Sequence, residues 1–131
     1  TSFKNVRAIL ESSLGKGAMN NFEIIGAGDV VKNKKPSPEI YNYVLKKMNL
    51  SAEDCIAFED SEIGFKASTA SGLNTVVTLS EYTMADNFKG ALVVLDHLGE
   101  ENHPFQMVYG MPTHHTMVGV DYLKELYECT N

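Results

Sequence analysis

The apolar positions change rhythm along the chain. Val6, Ile9, Leu10 and Leu14 recur at helical spacing, which predicts an amphipathic helix, and Gly15 and Gly17 close it. The run FEIIGAGDVV, residues 22–31, predicts a strand entering a loop. A second helical stripe follows at Tyr41, Val44, Leu45 and Met48. Ser37 suits its N-cap, Pro38 the first helical position and Glu39 the positive helix end. A turn then leads into a short apolar strand over residues 55–58. Residues 61–71 read as a helix with Gly72 at its C′ position. NTVVTL, residues 74–79, is a buried strand, and ALVVLDHLG, residues 91–99, is one more strand with a turn. Residues 99–119 read as loop, and VDYLKELYE, residues 120–128, closes the chain as a short amphipathic helix.

Short, continuous apolar strands alternating with helices predict an α/β fold with a mainly parallel sheet covered on both faces. Ligands in such sheets sit beyond the carboxyl ends of the strands. One strand ends there in two adjacent acids, Glu59 and Asp60. A hard divalent cation such as Mg²⁺ takes one or two carboxylates plus water and phosphate oxygens, so the pair suits it. Asp60 or Ser61 acting only as a helix cap is an equal reading of the same residues. The segment KKPSPEIY, residues 34–41, places a lysine on a stiff, extended lead into a helix. An ammonium held there can neutralise a carboxylate or a phosphoryl group. Against this, Lys32, Lys34, Lys35, Lys46 and Lys47 together also describe a solvated basic patch.

Composition narrows the partners. The 131 residues fit one domain, and a hydrophobic fraction of 44% supports a packed core. A net charge of −6 argues against sequence-independent nucleic-acid binding and against docking on anionic membranes. No apolar run approaches the roughly 18 residues of a membrane span. Cys55 and Cys129 do not make a disulfide framework, which fits a reducing cytoplasm. His97, His103, His114 and His115 lack zinc-site spacing with the cysteines. The adjacent His114 and His115 could hold a metal with a further ligand, and otherwise read as loop histidines. Met107, Met111 and Met117, with Phe105 and Tyr109, read as a packing tail. The chain starts at Thr1 with a helical pattern almost at once, and is expected to be part of something longer.

Taken together, the lysine–proline segment, the helix, and the strand ending in EDS before a helix with an early glycine (Gly64) resemble the haloacid dehalogenase-like phosphohydrolases in their third and fourth motifs. The stretch from EDCIAFEDSEIGF through YTMADNFKGALVVLDHLGE is similar to the CbbY-type branch. That branch acts on sugar phosphates, in some members xylulose-1,5-bisphosphate, and the related β-phosphoglucomutase-like mutases share the motif pair. The resemblance implies a three-layer Rossmann-like core, Mg²⁺ as cofactor at Glu59 and Asp60, Lys35 as a catalytic and phosphate-binding residue, and a small phosphorylated sugar as substrate. It further implies that Thr1 or Ser2 is the remnant of a phosphoryl-binding Ser/Thr motif.

The family pattern opens with an Asp-x-Asp pair, whose first Asp attacks phosphorus and whose second is the acid/base. No Asp-x-Asp occurs in these 131 residues. The resemblance therefore implies that residues 1–131 are the C-terminal part of such a core domain, with 99–131 as loop and helical tail. The first two strands and the cap domain lie outside it, and the chain alone is expected to be inactive. The family's strand order leaves the 22–26 strand without a neighbour and the 55–58 strand with an open edge. Such edges pair with other strands, so self-association or a further N-terminal polypeptide is expected to complete the sheet. The alternative is a non-catalytic protein that works by association through that edge.

Overall fold

The computed structural model describes residues 1–130. Helix α1 spans Phe3–Leu14; the Ser2 hydroxyl accepts from the Asn5 amide at its start, and Gly15 at φ 91° ends it. Helix α2 spans Glu39–Met48 and ends at Asn49, φ 53°. It begins one residue later than the sequence predicts: Pro38 holds the cap position, and the Ser37 hydroxyl accepts from the Glu39 amide at 3.4 Å. Proline there supplies the helical φ and has no N–H to satisfy. Strand β1 is Ile56–Glu59, helix α3 Glu62–Ala70, strand β2 Asn74–Thr78 and strand β3 Val93–Leu95. Ser61 caps α3 by accepting from the Gly64 amide, and Gly72 turns the chain at φ 79°. Helix α4, Val120–Glu128, falls where the sequence predicts it.

The four strands lie in the order β1-β2-β3-β4, with strand β4 at Met107–Tyr109. The first three run parallel, with Phe58 opposite Val76 and Val77 opposite Val94. Strand β4 returns antiparallel to β3, inside the stretch that the sequence predicts as loop. It is three residues long and has no apolar alternation of its own, so its partner rather than its sequence makes it a strand. Alternate residues of β2 and β3 feed two cores on opposite faces. Phe65 of α3 packs with Val77, Phe88, Ala91 and Val94 on one face; Tyr122 and Leu126 of α4 pack with Val76, Val93 and Leu95 on the other. The result is the three-layer α/β arrangement predicted.

The N-terminal half differs from expectation. Residues 22–26 form no strand, and among the described residues no strand precedes Ile56. A strand needs a ladder, and this segment has no sheet neighbour to give it one. Strand β1 starts at Ile56 rather than Cys55 and lies at the sheet edge, where its Phe58 is 45% exposed. Both cysteines are free. Among the described residues no helix is long and apolar enough to cross a membrane.

Candidate active site

Glu59 closes β1, and its side chain is 6% exposed. A buried carboxylate must be partnered. Lys35 provides an ammonium to its Oε1, and the Tyr41 hydroxyl donates to the same oxygen. Lys35 comes from the loop ahead of α2, where the Lys35–Pro36 peptide is cis, and Tyr41 from the first turn of that helix. The Lys35 nitrogen also sits 5.2 Å from the centre of the Tyr41 ring. Burial, then the hydrogen bond and the charge of Glu59, push the Tyr41 phenol well above its ordinary pKa. It stays a donor throughout the neutral range.

The opposite side of the carboxylate faces the start of α3. A Cβ built on Gly64 would overlap Glu59 Oε2 and the carbon that carries it. Any side chain at position 64 would therefore force this carboxylate to move. Two free amides of the first turn of α3 are satisfied locally, Gly64 by the Ser61 hydroxyl at 3.2 Å and Glu62 by Asp86 Oδ2 at 3.1 Å. Asp60 is exposed. It shares a depression of about 260 Å³ with Lys35, Glu59, Phe58, Thr78 and Leu98, at the carboxyl ends of β1 and β2.

The predicted site residues thus separate into two groups. Lys35, Glu59 and Asp60 come together from segments 24 residues apart. Thr1 instead lines a second cleft of about 500 Å³, with Lys34, Lys35, Tyr41 and the apolar Val6, Ile40 and Val44. Its carbonyl accepts from the Gly28 amide at 2.7 Å. The Ser2 hydroxyl serves the cap of α1. Lys35 borders both hollows, whereas the Lys34 amine turns back to the carbonyls of Gly28 and Val31. Tyr41, Gly64 and Asp86 were not among the site residues read from sequence. Tyr41 sits in the apolar stripe of its helix, and its hydroxyl reads as packing until Glu59 is placed beside it.

The donor set suits Mg²⁺. The depression offers two adjacent carboxylates and no sulfur or imidazole. Gly64 leaves room for Glu59 at the strand end, and the exposed Asp60 faces solvent that would complete the shell.

Comparison with known proteins gives the following. The family model for haloacid dehalogenase-like hydrolases matches residues 4–78. The protein CbbY of Cupriavidus necator is 40% identical over 114 residues, which is 87% of this chain and 42% of that protein. A crystal structure of a mutant of CbbY from Rhodobacter sphaeroides in complex with xylulose-1,5-bisphosphate superposes with a TM-score of 0.70 at 40% identity, over 73% of this chain and 43% of that one. β-Phosphoglucomutase from Clostridium difficile shares the fold, with a TM-score of 0.62 at 22% identity over 93% of this chain and 45% of that one. The chain spans less than half the length of these relatives.

Proposed function

The chain belongs to the haloacid dehalogenase-like hydrolases, and from that premise we propose that it supplies the metal and phosphate half of a sugar-phosphate phosphatase site. The observation that supports this most is the convergence of Lys35, Glu59 and Asp60 at the carboxyl ends of β1 and β2. The substrate class is a small phosphorylated sugar, with xylulose-1,5-bisphosphate the first to test, because a mutant of the 40% identical R. sphaeroides protein was crystallised in complex with it.

Glu59 and Asp60 are the residues that would hold Mg²⁺, which when bound supplies positive charge to phosphoryl oxygens. Lys35 balances the buried Glu59 and presents a second cation at the rim of both hollows, able to pair with a phosphoryl oxygen. Tyr41 holds the Glu59 carboxylate in place. Thr1 and Ser2, at the second cleft and at the cap of α1, are proposed as phosphate contacts only in a chain that extends ahead of Thr1. Residues 1–131 in this reading are the C-terminal part of the core domain. The nucleophilic and acid/base aspartates are not among them. The free thiols fit a cytoplasmic protein.

The test pairs two proteins. The 131-residue chain with Mg²⁺ is expected to leave p-nitrophenyl phosphate and xylulose-1,5-bisphosphate intact. The same chain fused behind the N-terminal half of the R. sphaeroides relative is expected to hydrolyse the bisphosphate, and Asp60→Asn or Lys35→Ala is expected to remove that activity. A fused protein that folds and is equally active with both substitutions would refute the assignment.

A second reading has its own support. The outer edge of β1 has no strand partner among the described residues, and Phe58 is 45% exposed there. Association through this edge, with a second copy or another polypeptide, would complete the sheet. Sedimentation of the pure chain should show a dimer or larger species; a strict monomer at all concentrations would count against it.

A further inference from the structure

The loop of residues 110–119 carries His114 and His115, and α4 carries Glu125. The fold brings the three together on the side of the sheet away from α3. His115 Nε2 lies 3.1 Å from Glu125 Oε2. The two imidazoles stack with centroids 4.3 Å apart, and His115 also packs 5.1 Å from the ring of Tyr122, which is buried in the core beneath α4. One ligand atom from each of His114, His115 and Glu125 lies within 4.8 Å of the others. Neither imidazole nor carboxylate is otherwise used in the proposed phosphatase site.

We propose that His114, His115 and Glu125 form a binding site for a divalent transition metal of the Zn²⁺ class, tying the 110–119 loop to α4. Two neutral imidazoles and one carboxylate are borderline-soft donors that suit Zn²⁺ and discriminate against Mg²⁺. With bonds of about 2.0–2.2 Å, a tetrahedral ion needs donors about 3.4 Å apart. The His115–Glu125 pair is already close to that spacing. His114 is exposed, and its ligand atom lies within 4.8 Å of the other two. Three protein ligands leave a fourth position for water or an external ligand. Packing on Tyr122 orients His115 in advance, so less ordering is required on binding.

The site is tested by titrating the 131-residue chain with ZnCl₂ in excess Mg²⁺, followed by calorimetry. One equivalent should bind. His114→Asn, His115→Gln and Glu125→Gln should each weaken it by at least about tenfold, the scale already seen for supporting residues of metal sites. Asp60→Asn and Cys129→Ser should leave the affinity unchanged. Co²⁺ in place of Zn²⁺ should show the intense d–d bands of four-coordinate cobalt, lost in the same three variants. His114 is exposed, so its substitution keeps the test valid if changes at the half-buried positions disturb folding. Absence of Zn²⁺ binding, or binding that survives His114→Asn and disappears with Asp60→Asn or Cys129→Ser, would overturn the proposal.

Discussion

Helices α1 and α2 bury no residue fully, whereas α3 and α4 bury Phe65, Ala67, Tyr122 and Leu126. Helices α1, α2 and α4 carry apolar stripes at helical spacing, and α3 buries its Phe65 and Ala67 beside Gly64 and Ser68. The difference lies in what faces the stripe. Helices α3 and α4 each lie on one side of β2 and β3, which are themselves buried. Helix α1 is followed by a segment, residues 22–27, that has no ladder. Helix α2 reaches the C-terminal region through Tyr41 on Glu59 and, at its cap, the Pro38 carbonyl, which accepts from the Ser71 hydroxyl at 3.3 Å, while Ile40 and Val44 lie against Gly26. Periodicity thus states which face of a helix needs cover, and only the strand order supplies it. The candidate active site sits at the join of the two regions, with Lys35 and Tyr41 from one and Glu59 and Asp60 from the other.

The contrast can be broken most strongly in the sheet. Leu95 is fully buried, so Leu95→Ala should cost about 2–5 kcal/mol in urea unfolding. Ile9→Ala on α1, where Ile9 is 59% exposed, should cost less than about 1 kcal/mol. Equal costs would show that α1 is covered in solution. Next comes Gly64→Ala. The new methyl must displace the Glu59 carboxylate, and we expect about 1–3 kcal/mol of destabilisation together with loss of Mg²⁺-dependent turnover in the fused protein. Tyr41→Phe removes one donor from a buried carboxylate and should cost about 1–2 kcal/mol, with the sheet core unchanged by amide NMR.

A smaller effect separates β3 from the loop beyond it. Burial raises the pKa of Asp96, but the amides of Gln106 and His97 outweigh it, and its carboxyl is held below the usual value. A depressed folded pKa contributes stability above the unfolded value near 3.8, lost as pH falls through the folded one. Asp96→Asn should therefore lower Tm at pH 7, by less than about 1 kcal/mol equivalent because the side chain is 39% exposed. The difference should shrink as pH falls from 3.8 through the lowered folded value. A gap that does not shrink with falling pH would place its origin elsewhere.

Much of this was legible in the sequence because the relevant signals are local. The helix over residues 61–71, with Ser61 at its start and Gly72 after it, and the closing helix at residues 120–128 stand where the caps and stripes put them. The strands at residues 74–79 and 91–99 shrink to Asn74–Thr78 and Val93–Leu95. What failed depended on partners. Residues 22–26 have a strand's composition and no neighbour; Met107–Tyr109 has a neighbour and little strand composition. In the site, Lys35, Glu59 and Asp60 could be named from their motif order. The roles of Tyr41 and Gly64 could not, because both follow from where the Glu59 side chain points after folding.

The most direct test of the join is a double-mutant cycle of unfolding free energies for Lys35→Ala and Glu59→Gln. Glu59 is buried and Lys35 is 40% exposed, so the pair is only partly screened. We predict a coupling of about 1–2 kcal/mol at low salt, reduced but still measurable in high salt. A coupling indistinguishable from zero would mean that Lys35 does not meet Glu59 in solution, and that the two regions do not form one site.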